Sequence, residues 1–439
     1  MKQTNNFKDK IVKIVEENKN EILKDSDLKN EYFKLFKKMA PPDAGHLDFS
    51  QMPKDIFNNF DYNLFFKKYN DADVDINIDK YLPNNVNKDK INIVVLVNGF
   101  FSNKYSKVIS KGLEIRSLNE KVDCEYGDVE KYFLTESEMH ENPLTVLNVF
   151  LAMDGVYIYV PKNIAVKEPI YLFSVITDQE KDYLFNQRVL CLLDENAEAS
   201  VIENKISNSS KNAVICQVNE ICLKNNAKLN YYNLSDKTEK NEQKSNILTT
   251  LSGYEYTVGR DAVCDVCSID IAPDFSRSRI NFRMDGENSE AAFNSFSFVP
   301  NNVVNYRVLI EHLTDNSRSN QKIKAIADND AKFIFNGKIE IKNGVKNVEC
   351  HQNSKVITLS DQAEVICEPQ LEIYSDDVIC THGAAIGNPN DDLIFYLQSR
   401  GIDEKQSRLM LLDAFANEIF DTIKDNDLRS YMKTISLSK

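Results

Sequence analysis

The chain opens on a helical pattern of apolar positions. Ile11, Ile14, Val15, Ile22 and Leu23 recur at helix-like spacing, and Tyr32, Leu35, Phe36 and Met39 continue it, so residues 6–39 are predicted helical. Pro41-Pro42 ends the pattern, because proline has no amide hydrogen to give a helix. Residues 55–68 read as a further short helix, and the Asp- and Asn-rich residues 70–90 as a linker. The spacing then turns strand-like. Ile91-Asn-Ile-Val-Val-Leu-Val97 is an apolar, β-branched run closed by Asn98-Gly99. Similar short runs follow at 113–118, 156–160, 170–175, 189–193, 214–223, 228–232 and 280–284. Others lie at 333–335, 338–341, 355–359, 364–367 and 371–374. No amphipathic helix interrupts residues 156–385. Many short strands without crossover helices predict a mainly β fold, as a sandwich, a barrel or a coiled β-solenoid. No strict repeat period separates the three. From Pro389 the helical pattern returns. Asn390, Asp391 and Asp392 suit a helix start and Gly401 its end; Asp403, with Gln406 three residues on, suits the cap of the next helix. The stripe Leu409, Leu412, Phe415, Ile419 and Ile423 on that helix suits core packing, with a partner-binding face as the alternative. The expected division is a helical region with its linker over 1–90, a β core over 91–387 and a C-terminal helical region over 388–439.

Composition narrows the class. A hydrophobic share of 42% supports a buried core. No apolar run reaches the ~18 residues of a membrane span, and Met1 to Lys13 lacks an apolar signal region, so a cytoplasmic setting is expected. The net charge of −14 argues against nucleic acid, whose phosphates call for a basic face, and fits protein partners. Nine cysteines, an odd and sparse set, suit reduced thiols rather than a disulfide framework. Only 13 glycines are present; asparagine, which tolerates a left-handed backbone, is expected to take their place in turns.

Recognisable catalytic motifs are missing: no phosphate-binding loop, dinucleotide fingerprint, nucleophile elbow or zinc-protease signature occurs. Cys264-Asp-Val-Cys267 splits across the two sides of an extended strand, as does Cys350-His351, so neither pair is expected to chelate. The segment Gln370 to Gly387 is more informative. A strand-like run there ends in a Cys380-Thr-His382-Gly turn. Thiol and imidazole together suit iron or zinc. Cys380 and His382 share a side with Val378 if the chain is extended. Packed into a core they would be inert; displayed at the surface they would form a site, and the sequence allows both.

The order of several motifs over residues 333–401 strongly resembles the SufB/SufD family of iron–sulfur cluster assembly proteins. The matching pieces are Phe335-Asn-Gly-Lys-Ile339, Gln352 with the Leu359-Ser-Asp-Gln-Ala363 turn, and Glu368-Pro-Gln-Leu-Glu-Ile373. Asp376-Asp-Val-Ile-Cys-Thr-His-Gly383 and Asp392-Leu-Ile-Phe-Tyr-Leu-Gln-Ser-Arg-Gly-Ile402 complete them. A weaker likeness, including His312 with Ser317, Ser319 and Gln321, extends it to about residues 91–425. The pattern looks like the SufD branch, since Asn353 follows Gln352 where SufB carries a scaffold cysteine, and Gly383 follows His382 where SufB has a glutamate.

The resemblance implies a right-handed parallel β-helix flanked by helical regions. It implies a non-catalytic subunit that pairs with a SufB-like paralogue and a SufC-like ABC-type ATPase and assists iron entry. A homodimer is possible when the chain is alone. His382 is the implied interface ligand, with Cys380 as a candidate second donor. Iron or a cluster would be transient and completed by the partner, with none expected tightly bound to the isolated chain. Asp392, Phe395, Tyr396, Arg400, Gly401 and Ile402 are the candidate ATPase contacts. Two other readings are a β-solenoid enzyme acting on polysaccharide, for which no carboxylate pair stands out, and a self-associating scaffold.

Overall fold

The computed structural model describes residues 2–23, 26–39, 75–83, 86–119, 143–177, 179, 182–236 and 247–435. Strands from successive passes of the chain stack in parallel into a ten-stranded and a nine-stranded sheet. From Val156–Val160 onward each strand pairs with the strand two places on, as in Val348–Thr358 with Val378–Gly387, while Asn92–Val97 pairs with Ile170–Ile176. That is the topology of a β-solenoid, here of about seven turns. Antiparallel pairing occurs at the start, where Phe100–Phe101 and Glu114–Ser117 close the first coil. The last strands, Glu364–Ile373 and Val378–Gly387, form the opposite edges of the two sheets.

The interior between the sheets is filled from both sides by alternate residues, including Leu172, Val201, Tyr256, Phe282, Phe293 and Phe335. Tyr256 and Phe282 stack at 4.7 Å between centroids. Uneven turns explain why no repeat is legible: Tyr231, Val266, Phe293, Gln321, Gln352 and His382 occupy one column of register partners at irregular sequence spacing. Asparagine does replace glycine in the turns. Asn163, Asn196, Asn226, Asn288, Asn316 and Asn347 all hold positive φ. Some of their amides bond along the stack: Asn196 Nδ2 donates to Asn163 Oδ1 and Asn347 Nδ2 to Asn316 Oδ1, each at 2.7 Å.

Helices cover both outer faces. Lys2–Glu17, Lys19–Leu23 and Asp27–Lys38 pack with Pro143–Leu151 over Leu184, Val214, Val218 and Leu251 of the nine-stranded sheet. Glu404–Phe420 and Asn426–Ile435 cover the ten-stranded sheet, where Leu412, Ile419 and Ile423 meet Tyr232, Cys267 and Ile269. The C-terminal stripe is therefore core packing. Ser26, Asn390 and Asp403 cap their helices as the sequence suggests for the last two; Asp403 Oδ1 accepts from the Gln406 amide at 2.9 Å. No described helix is long and apolar enough to cross a membrane.

Several expectations change. The predicted linker contains 3-10 turns at Ile78–Tyr81 and Lys88–Lys90, each opened by an asparagine cap. Pro143–Leu151 and Asn426–Ile435 are additional helices. The runs at 333–335 and 338–341 are one strand, Lys332–Ile341. Those at 364–367 and 371–374 also merge, into Glu364–Ile373. Pro369 is tolerated there because the strand is a sheet edge, where one row of amides needs no partner. Pro41-Pro42 and the predicted helix 55–68 lie outside the described residues.

Candidate functional site

The Cys-x-His-Gly motif is not a turn. It lies inside the straight strand Val378–Gly387, and pairing with Val348–Thr358 continues through Gly383, opposite Asn353. Alternation therefore decides which way its side chains point. Val378 and Cys380 pack against the buried cluster of Ile339, Ile341, Val345, Val348 and Cys350, so this row faces the interior. His382 is next in the same row. Among the described residues no further coil stacks beyond it, and the imidazole is exposed. Both alternatives left open by the sequence are thus partly realised: the row is the core row, and the absence of a following coil uncovers its last members.

Below His382 the column continues inward through glutamines. Gln352, its register partner, is 2% exposed, and its Nε2 donates to Gln321 Oε1 at 3.0 Å. Gln352 Oε1 and Gln321 Nε2 have no hydrogen-bond partner among the described residues. Buried amide groups are rarely left so, because each costs roughly 1–3 kcal/mol. Gly337, on the facing sheet, makes room: a Cβ there would lie 2.2 Å from Gln352 Nε2. His382 itself makes no hydrogen bond among the described residues and is oriented by its strand alone.

Beside this column runs a second one, Ser319, Cys350 and Cys380. The Cys350 and Cys380 sulfurs lie 2.8 Å apart. Burial pushes both thiols above their ordinary range; for Cys380 the contact with Cys350 partly opposes it. Cys367, half-buried on the facing sheet, is raised by burial too, with Ser354 pulling the other way. One coil deeper, His312 is fully buried, its Nδ1 against Ser317 Oγ at 2.7 Å and its Nε2 against Ser319 Oγ at 2.9 Å. Burial lowers its pKa to about 4, so it is neutral at neutral pH.

The other cysteine motifs behave as strand geometry predicts. Cys264 faces the interior, while Cys267 lies on the outer side beneath the C-terminal helices. Cys350 faces inward and His351 outward, where its ring contacts Thr381 Oγ1 at 2.8 Å and Glu349 Oε1 at 3.1 Å. Sequence reasoning passed over Cys350 because its neighbour in space is thirty residues away in the next coil. A fixed coil length would have given that away. Among the described residues no three His, Cys, Asp or Glu side chains converge to hold a metal ion.

The second candidate set gathers on one short helix. Asp392, Phe395 and Tyr396 are exposed on Asp391–Ser399, which buries Ile394. Arg400 follows it, Nη2 donating to the Tyr396 hydroxyl at 3.2 Å with the guanidinium 5.2 Å from the ring centre. Gly401 adopts φ +86° and Ile402 is half-buried. Near the end of the solenoid lie more exposed apolar side chains: Ile373, Tyr374, Ile379, Ile386 and Leu393.

An open-ended β-solenoid with helical flanks and a thiol–imidazole row at its last strand defines the class. Residues 175–415 match the SufBD core domain of the SUF system for FeS cluster assembly, and residues 2–172 match the SufBD protein N-terminal region. The chain belongs to the SufB/SufD family. It is similar to a SufBD family iron–sulfur cluster assembly protein of Synechocystis sp., 24% identical over 75% of this chain and 74% of that one. It is also similar to SufD of Bacillus subtilis, 24% identical over 71% and 70%. The match to SufD of Escherichia coli reaches 35% identity over a shorter stretch, 35% of this chain and 36% of that one. Within the family the chain is SufD-like, and its role lies in iron–sulfur cluster assembly. The polysaccharide-acting reading falls with that placement.

Proposed function

We propose that this chain is the SufD-like half of a cluster-assembly scaffold, with His382 offering its imidazole to iron or a nascent cluster at the open end of the solenoid. The observation that carries the reading is the position of His382 in a core-facing row that no further coil among the described residues covers. Iron and cluster are cargo here. A neutral imidazole suits iron and lets go more readily than a ring of thiolates would. Cys380 is the nearer candidate for a second donor, and a SufB-like paralogue would supply the rest.

The unpaired backbone of the last strands supports pairing with that paralogue, since an uncovered sheet edge is a template for another strand. The exposed face of Asp392, Phe395, Tyr396 and Arg400 with Gly401 and Ile402 is the proposed seat of a SufC-like ATPase, which would provide the nucleotide chemistry. The subunit itself turns over no substrate.

The test is co-expression with a SufB-like protein and the ATPase, followed by measurement of iron and acid-labile sulfide in the purified complex. His382→Ala is expected to leave the complex assembled and to lower its cluster content by roughly tenfold, the lower end of what losing even a supporting group costs a metal site. Unchanged cluster content would remove His382 from the site. Failure to co-purify with either protein, with a homodimer instead, would favour the self-associating scaffold.

A further inference from the structure

We propose that Cys350 and Cys380 are a dithiol that closes reversibly into a disulfide between the last two coils. The two are register partners on adjacent parallel strands. Such neighbours have Cα atoms ~4.8 Å apart, inside the range of about 4.4–6.8 Å that a disulfide spans. Their sulfurs, 2.8 Å apart, are already closer than ordinary contact, so closure needs little backbone movement. The surroundings are apolar: Ile339, Ile341, Val345, Val348, Leu371 and Val378.

Access differs between the two. Cys350 is fully buried, whereas Cys380 is half-buried in the uncovered strand, which makes Cys380 the thiol that a small oxidant meets first. With hydrogen peroxide, the Cys380 sulfur attacks one peroxide oxygen; the O–O bond breaks, Cys380 becomes a sulfenic acid and one water leaves. The Cys350 sulfur then attacks the Cys380 sulfur; the S–S bond forms, the S–O bond breaks, and the Cys350 proton departs with the hydroxyl as a second water. Two thiols lose two electrons and two protons, and one peroxide is reduced to two waters. Cys350 thus acts as the resolving thiol, shielding Cys380 from irreversible oxidation. If His382 and Cys380 handle iron as proposed above, closure also withdraws the Cys380 sulfur from that site, a redox brake on assembly. Formation of the disulfide does not depend on that reading.

The experiment treats the purified full-length chain with hydrogen peroxide, alkylates remaining thiols under denaturing conditions and maps peptides without reduction. The expected result is loss of two of the nine alkylatable thiols and one linked peptide pair carrying residues 350 and 380, both reversed by dithiothreitol. Cys350→Ser should abolish the link and drive Cys380 on to sulfinic acid; Cys380→Ser should abolish it and leave Cys350 alkylatable. The proposal is overturned if Cys380 becomes sulfinic acid in the unmodified sequence, if either cysteine links elsewhere, or if both stay alkylatable. The mapping needs neither iron nor a partner protein, so its failure leaves the cluster-assembly reading standing, and failure of the His382 test leaves the disulfide standing.

Discussion

The middle coils and the last two coils follow one building rule with opposite results. In the middle, even charged groups are accommodated inside. Glu203 is fully buried, yet its carboxylate accepts from the Tyr231 hydroxyl at 2.7 Å, from Asn219 at 3.1 Å, from Tyr254 at 3.2 Å and from Gln217, with Lys205 Nζ 3.7 Å away. Lys205 in turn donates to Asn233 and Tyr254, each at 2.9 Å. These partners come from the same strand and from the three strands that follow it, Ala213–Leu223, Lys228–Asp236 and Leu248–Val258. At the open end the same columns run out of neighbours. Gln321 and Gln352 keep unpaired amide atoms, His382 has no partner among the described residues, and apolar side chains face solvent. A solenoid coil is completed only by coils on both sides, so the last one is an unfinished core, and that is where a shared site can be built.

The largest effect should come from breaking the middle. Glu203→Ala leaves Lys205 buried without its carboxylate and orphans the surrounding hydroxyl and amide donors. Loss of one partner of a buried ion pair typically costs about 3–5 kcal/mol, so urea unfolding should shift by that much. A cost under about 1 kcal/mol, the scale of an exposed pair, would show that the middle is no better satisfied than the end.

Next in size is a pH effect set by His312. The unfolded chain takes up its proton near 6.5, the folded chain only near 4, because burial disfavours the charged ring. Between these values the unfolded state binds more protons, so stability falls as pH drops through that window and levels off below about 4. Full development of the shift would remove roughly 3 kcal/mol, at 1.36 kcal/mol per unit. Unfolding of His312→Gln should show a flatter dependence between pH 6.5 and 4. An unchanged slope would assign the acid sensitivity to other groups.

Much of this was legible in the chain, and the gaps have physical causes. Strands with continuous apolar runs, such as Val156–Val160, announce themselves because both faces are covered. Glu198–Ser207 and Val263–Ile271 did not, because Glu203, Lys205, Ser268 and Asp270 place polar atoms on the inward face and mimic a loop's composition. Asn390 and Asp403 were readable as caps because capping is local. The direction of His382 was not, because it depends on register with Val348–Thr358, a relation between coils. The same holds for the Cys350–Cys380 contact and for Gly337, where a side chain would strike Gln352 across the interior as well as the ring of Phe335.

The smallest effect on stability should accompany the largest on association. Ile379 is 64% exposed on the last strand and Phe395 is 72% exposed on the helix beyond it. Neither fills a core, so Ile379→Ser and Phe395→Ala should each change unfolding stability by no more than about 0.5 kcal/mol. If the open end is an unfinished core awaiting a paralogue, Ile379→Ser should weaken that pairing by about fivefold or more, the scale of a contact worth 1 kcal/mol, while ATPase binding stays. Phe395→Ala should do the reverse. Titration of each variant against the two partners separately measures both. Loss of both partners from either variant would merge the two surfaces into one, and loss of neither would leave the exposed apolar end without a role in pairing.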